Sequence, residues 1–187
     1  INKRDFIRNE LQIQDKFVIG HVGRFHPLKN HEFLIDIFNE VYKKHENSVL
    51  VLIGDGEKKN YIKQKINRLG LNKNVIFTGI RSDVHDLLQA FDVFVFPSLY
   101  EGLPVTLIEA QASGLPCIVS DKITTEVKVT DLIKFISLDK NAEYWAEEIL
   151  KTKNSEFRPN TMNQIIQSGY DVEASTKWYE EFVYHLV

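Results

Sequence analysis

Cysteine occurs once in the 187 residues, at position 117, so no disulfide can close within the chain, and the compartment is left open. Methionine also occurs once, at position 162, although the sequence begins with Ile1. The expectation is a piece of a longer protein. No apolar run approaches the ~20 residues of a membrane span, and no secretory leader pattern is visible at the start. Charge of one sign is nowhere concentrated: 23 basic and 26 acidic residues are interspersed for a net charge of −3. That removes a nucleic-acid-binding tract and an acidic solvating arm. Neither GxGxxG nor GxxxxGK[ST] occurs, so the dinucleotide fingerprint and the P-loop are both absent. The histidines at 21, 26 and 31 fit no metal spacing, and no metal or other cofactor is expected.

What is present is an apolar content of 43%, with twelve Phe, sufficient for a full core. Short apolar, β-rich runs alternate with helical periodicity. Strands are expected over 16–23, 48–54, 74–79, 92–97 and 116–120, with a sixth over 132–138. Helices are expected over 30–45 with Asn30 as N-cap, 57–70, 82–91 capped by Ser82, and 104–114 with Pro104 in the first turn. Further helical patterns cover the first dozen residues and the stretches 142–152, 161–169 and 173–187. Residues 154–160 read as a loose connector. Trp145, Trp178, Tyr179 and Phe182 fall at helical spacings and read as packing residues, and Cys117 reads as buried in the fifth strand.

Strands alternating with helices predict an α/β fold: a doubly wound, Rossmann-like parallel sheet of about six strands, in the order 3-2-1-4-5-6. Residues 1–187 are expected to form one domain. Ligands bind such sheets beyond the carboxyl ends of the strands, where the order reverses. Here that point is flanked by "GRFHPLKN" (Gly23–Asn30) and "SLYEGLPV" (Ser98–Val105).

The first of these loops carries Arg24 and Lys29, behind a Gly23 that permits close backbone approach. A guanidinium fork and a point charge together suit a diphosphate, and the two also fit as ordinary solvated cations. In the second loop, the amides of Gly102, Leu103, Val105 and Thr106 would sit at a helix N-terminus that favours an anion. Glu101 just precedes that end, where it could cap the helix or offset its dipole. Glu109, two turns on, fits either a site or a solvent-facing position. "IGDGE", with Gly54, could border the crevice, although Asp55-Gly56 is also a common turn. "TGIRSDV", with Ile80 and Arg81, could receive a flat base.

Together these segments resemble the C-terminal, nucleotide-sugar-binding domain of GT-B-fold retaining glycosyltransferases of family 4. The resemblance rests on "GHVGRFHPLKNHEFLI", "VLVLIGDGE", "VIFTGIRSDV", "FPSLYEGLPVTLIEAQASGLPCIVSD" and "TTEV", in the family's order over residues 17–127. Its most specific element is the pair Glu101 and Glu109 followed by "ASGLP". The phrasing is most similar to bacterial capsule and exopolysaccharide transferases.

The resemblance implies a catalytic set of Glu101, Arg24 and Lys29. Arg24 and Lys29 would neutralise the donor diphosphate, Glu101 would bond hydroxyls of the donor sugar, and Glu109 those of the ribose. Gly23, Gly54 and the backbone of Gly102, Leu103, Pro104, Val105 and Thr106 would line the donor, with Ile80 and Arg81 near the base. The implied donor is a nucleoside-diphosphate sugar, used without a metal. The implied acceptor is a glycan or lipid-linked sugar held by an N-terminal domain, against which residues 173–187 would pack. An isolated donor half is expected to be inactive. The whole enzyme is expected in the cytoplasm, in part at the inner face of the membrane. Where many members have Lys-Gly, this sequence has Lys29-Asn30. Two alternatives share the crevice: half of an epimerase or phosphorylase of the same fold, and a non-catalytic nucleotide-sugar-binding module.

Overall fold

The computed structural model describes residues 2–154 and 158–184. Six strands form one parallel sheet in the order β3-β2-β1-β4-β5-β6, the order expected. They are β1 (Phe17–Val22), β2 (Ser48–Ile53), β3 (Val75–Gly79), β4 (Val93–Phe96), β5 (Cys117–Ser120) and β6 (Ile133–Ile136). The helices are α1 (Lys3–Glu10), α2 (His31–Lys44), α3 (Lys59–Arg68), α4 (Val84–Ala90), α5 (Val105–Ala112), α6 (Ala142–Lys151), α7 (Met162–Gln167) and α8 (Val172–Tyr184). The loose connector expected at 154–160 lies partly outside the described residues.

The alternation of each strand divides the core in two. Val18, Val49, Val51, Phe94 and Phe96 point to the face covered by α1, α4, α5 and α7, where Leu87, Phe91 and Leu107 meet them. Phe17, Ile19, Leu50, Leu52, Val93 and Val95 point to the other face, where α2, α3 and α6 contribute Leu34, Phe38, Ile62 and Trp145. Burial on both sides explains why "SVLVLI" is apolar without alternation: every residue of β2 is buried.

The sheet fixes where the loops meet. Ile19 pairs with Val93 and Gly20 with Phe94, so β1 and β4 end side by side. The loop after β1 includes a single 3-10 turn, Pro27–Lys29. Leu99 N–H donates to Leu28 O at 2.8 Å, which ties that loop to the one after β4.

Three local expectations need correction. Asn30 stands at the N-cap position of α2, but its side chain does not cap. It adopts a left-handed conformation (φ 53°), and its Nδ2 donates to Pro97 O at 3.1 Å. Asparagine tolerates that conformation better than most residues with a Cβ. Ser82 does not cap α4; Asp83 precedes the helix, and its carboxylate is held by Arg81 instead. Trp145 is buried as expected, whereas Trp178, Tyr179 and Phe182 are exposed on α8. Pro104 is buried and immediately precedes α5. Cys117 is buried, with its thiol pushed up by burial.

Candidate functional site

Val22 and Ile53 end neighbouring strands, and the chain after each turns over the top of the sheet. Gly54 adopts φ +132°, and a Cβ there would lie 2.2 Å from Gly23 O. The two backbones are therefore in direct contact, which no side chain at position 54 would allow. The resulting crevice, about 520 Å³, is lined by Val22, Gly23, Arg24, Ile53, Gly54, Asp55, Ile80, Arg81 and Val84. It gathers Gly23, Arg24, Gly54, Ile80 and Arg81, drawn from three separate loops. A larger hollow of 770 Å³ between α7 and α8 contains none of the candidate site residues and is bordered by Ile166, Trp178 and Tyr179.

Arg24 is largely exposed and only loosely engaged, with Glu57 Oε2 at 3.4 Å. Its guanidinium is free to be redirected, because an exposed pair at that distance contributes little. Arg81 is committed: Nε and Nη2 form a fork on Asp83 at 2.7 and 2.6 Å, and Nη1 reaches Glu10 at 3.2 Å. Asp83 and, less strongly, Glu10 raise its pKa further above the ordinary arginine value. Ile80 beside it is exposed.

The loops after β1 and β4 bring Lys29 and Glu101 together. Lys29 Nζ lies 2.7 Å from Glu101 Oε1 and 4.9 Å from the centre of the Phe96 ring. Both side chains are mostly shielded. The contact is close but not aligned as a hydrogen bond, since Glu101 Oε1 has no hydrogen-bond partner among the described residues. Glu101 therefore does not cap α5, one of the roles its position in the sequence allowed. It neutralises Lys29.

Among the described residues, no side chain caps the first turn of α5. Gly102, Leu103 and Val105 are exposed and Thr106 is partly so, which leaves this end open to solvent. Glu109 is exposed on α5, near enough to His85 to feel its charge. Partial desolvation raises its pKa and His85 lowers it, burial being the larger effect. Although exposed by area, its carboxyl therefore still senses the protein beside it.

Two residues of this region were not selected from the sequence. His21 and His31 are buried, with ring centres 4.7 Å apart, below Lys29. Burial, aided for His21 by the charge of Lys29, lowers the His21 pKa to about 4, although its bond to Val95 O works the other way. Burial, then His21 and Lys29, lowers that of His31 to about 2. The available signal was a histidine inside an otherwise apolar strand. Among the described residues, no group of three or more His, Cys, Asp or Glu is arranged to hold a metal ion. No described helix is long and apolar enough to cross a membrane.

Residues 3–172 match the family described as glycosyl transferases group 1. EpsF of Bacillus subtilis strain 168, named as a glycosyltransferase, is 42% identical over 165 residues, covering 85% of this chain and 42% of EpsF. The UDP-Gal:alpha-D-GlcNAc-diphosphoundecaprenol alpha-1,3-galactosyltransferase of Escherichia coli is 39% identical over 125 residues, covering 65% of this chain and 32% of that enzyme. The chain thus spans less than half the length of these relatives. Among solved structures, Anabaena HepE in complex with UDP-glucose superposes with a TM-score of 0.80 over 97% of this chain and 52% of its own, at 22% identity, a likeness of fold. By the extent of the family match, the chain belongs to the group 1 glycosyl transferases.

Proposed function

We propose that the chain is the donor-binding half of a retaining glycosyltransferase that moves a sugar from a nucleoside-diphosphate sugar to a glycan or lipid-linked acceptor in bacterial polysaccharide synthesis. The observation that carries this reading is the meeting of Lys29 and Glu101 across two loops at the point where the strand order reverses. A cation there suits a diphosphate, and a carboxylate with an unpartnered oxygen suits sugar hydroxyls. The names of relatives support the same chemistry: the E. coli enzyme is named for UDP-Gal and a diphosphoundecaprenol acceptor.

In this reading, Lys29, Arg24 and the open end of α5 stabilise the negative charge that grows on the leaving diphosphate. Glu101 orients the sugar and is not assigned as a nucleophile. Glu109 accepts hydrogen bonds from the ribose hydroxyls, and Ile80 borders the base. Arg81 already serves three carboxylate contacts and acts by shaping the loop. The exposed apolar face of α8, with Trp178, Tyr179 and Phe182, is assigned to contact with the rest of a longer transferase. Cytoplasmic placement and association with the membrane face belong to that longer protein.

Lys29→Ala should weaken a nucleoside diphosphate about 10–150-fold, the worth of one charge-assisted contact, and leave the nucleoside nearly unchanged. Arg24→Ala should act in the same direction. Calorimetry with UDP, GDP and their nucleosides measures this. Equal losses for nucleoside and nucleoside diphosphate would show that these cations do not grip phosphate.

A second test divides the carboxylates. Glu109→Gln should weaken the bare nucleotide, whereas Glu101→Gln should leave it nearly unaffected and weaken only the intact sugar donor. Against 2′-deoxynucleotide, the Glu109→Gln effect should shrink. Equal weakening of bare nucleotide by both variants, once circular dichroism shows them folded, would sink this division of roles.

A further inference from the structure

Among the described residues, five buried side-chain atoms lack a hydrogen-bond partner: His21 Nε2, both ring nitrogens of His31, Ser98 Oγ and Glu101 Oε1. All belong to the end of β1, the start of α2 or the loop after β4, the elements that meet beside Lys29. Buried polar atoms without partners are costly and uncommon. Their convergence on one place points to a role there.

The geometry is most specific at His21. Its Nδ1 lies 2.9 Å from Val95 O. A carbonyl oxygen can only accept, so Nδ1 carries the hydrogen and Nε2 presents a lone pair. Above that lone pair lies Gly23. A Cβ built there would be 3.1 Å from His21 Nε2 and 3.3 and 3.4 Å from Cδ and Cε of Lys29. The end of the lysine side chain and the lone pair thus share the space over Gly23. Phe96, whose ring lies beneath the Lys29 ammonium, also stacks on the His21 ring at 5.3 Å. His21 and Phe96 together floor the place that Lys29 occupies.

We propose that His21 is a positioning residue for Lys29: its Nε2 lone pair receives one ammonium hydrogen when a bound diphosphate draws the lysine away from Glu101. This inference rests on the donor-binding reading above. The ammonium has three hydrogens. With one on Nε2, the other two remain for phosphate oxygens, and Glu101 is released to the sugar. No proton changes hands. The lysine keeps its charge, and the histidine, neutral at ordinary pH because it is buried, remains an acceptor. Without a fixed acceptor on the protein side, Lys29 would swing as a flexible point charge. With one, it is held as the sugar departs.

The two imidazole nitrogens can be separated by substitution in the 187-residue chain. His21→Asn mimics Nδ1 and keeps the bond to Val95 O but removes the group at Nε2. His21→Gln reaches the Nε2 position with an amide oxygen. Calorimetry with UDP or GDP, whichever the parent binds more tightly, and with the matching nucleoside reads the difference. His21→Asn is expected to weaken the diphosphate about tenfold and leave the nucleoside unchanged, while His21→Gln recovers most of the loss. Unchanged diphosphate affinity in His21→Asn, equal losses in the two variants, or equal losses for diphosphate and nucleoside overturn the proposal. If the parent itself prefers neither diphosphate to its nucleoside, the donor-binding reading fails and takes this inference with it. If Lys29→Ala loses the diphosphate but His21→Asn does not, only this inference fails.

Discussion

Asp92→Ala is expected to destabilise the protein by about 3–5 kcal/mol, the loss found when one partner is removed from a buried ion pair. Asp92 joins α1 to the sheet. Its Oδ2 accepts from Arg8 Nη2 at 2.7 Å and from the Val18 amide at 2.7 Å, and its Oδ1 faces Arg4 Nη2 at 2.5 Å. Arg8 is buried, and burial lowers its pKa while Asp92 raises it. Arg158 reaches the Phe91 carbonyl nearby; burial and the charge of Arg4 bring it down to about 10, against the pull of Asp92. Removing the carboxylate leaves three guanidinium groups facing one another around an unpaired amide. Asp92 remains partly accessible, so solvent screening places the effect toward the lower end of that range. Urea unfolding measures it. Combining Asp92→Ala with Arg8→Met should recover part of the loss, because the stranded buried charge is then gone. A loss under about 1 kcal/mol for Asp92→Ala would mean that the remaining carbonyl contacts of Arg8 suffice.

The sheet was legible because its signal is local and redundant. The run Ser48–Ile53 is apolar throughout since both its faces are covered, and the helical stripe Leu34, Ile37, Phe38 and Val41 packs on one side of it. Short connections and right-handed crossovers then leave few possible orders. Caps were less legible because they are settled by tertiary contacts. Asn30 has the chemistry of a cap, but Pro97 O engages its amide; Asp83 replaces Ser82 ahead of α4 and is drawn to Arg81. The periodicity of α8 marks an apolar face without saying what meets it, so Trp178 reads like Trp145 although only Trp145 is buried.

In the site, the residue types and the two loops could be read from the sequence. The pairing of Lys29 with Glu101 could not: the expected strand order set the two loops side by side, but which side chains meet depends on the register of β1 with β4 and on the course of each loop. His21 was hidden for a related reason. A histidine in a strand can face solvent, and only coverage of both sheet faces makes it buried.

Those same histidines should make the protein sensitive to mild acid, and here the expected effect is larger still. An unfolded histidine titrates near 6.5, whereas folding lowers His21 to about 4 and His31 to about 2. Between pH 6.5 and 4, the unfolded chain therefore binds protons that the folded chain does not, and stability falls as pH falls. The contribution is fully present above the unfolded value and is lost toward the folded values. Each pKa unit corresponds to about 1.4 kcal/mol, so the two residues together account for several kcal/mol across the window. His45, also lowered chiefly by burial, adds to the trend. Glu109, raised chiefly by burial, opposes it just above the ordinary carboxylate range. The lowered carboxylates Asp55, Glu57, Asp83 and Glu148 act only at lower pH. Urea midpoints at pH 7.5 and pH 5 should differ clearly for the parent and by about half as much for His31→Leu, since both folded values lie below pH 5 and His21 remains. The variant replaces an imidazole whose two nitrogens have no partner among the described residues by a side chain suited to its apolar surroundings. Equal midpoints at the two pH values in the parent would mean that the buried imidazoles accept protons without opening the fold. The acid dependence should also be unaffected by Lys29→Ala at its upper end and slightly weaker at its lower end, because removing the lysine charge raises both folded-state values, so the folded chain takes up protons sooner as the pH falls.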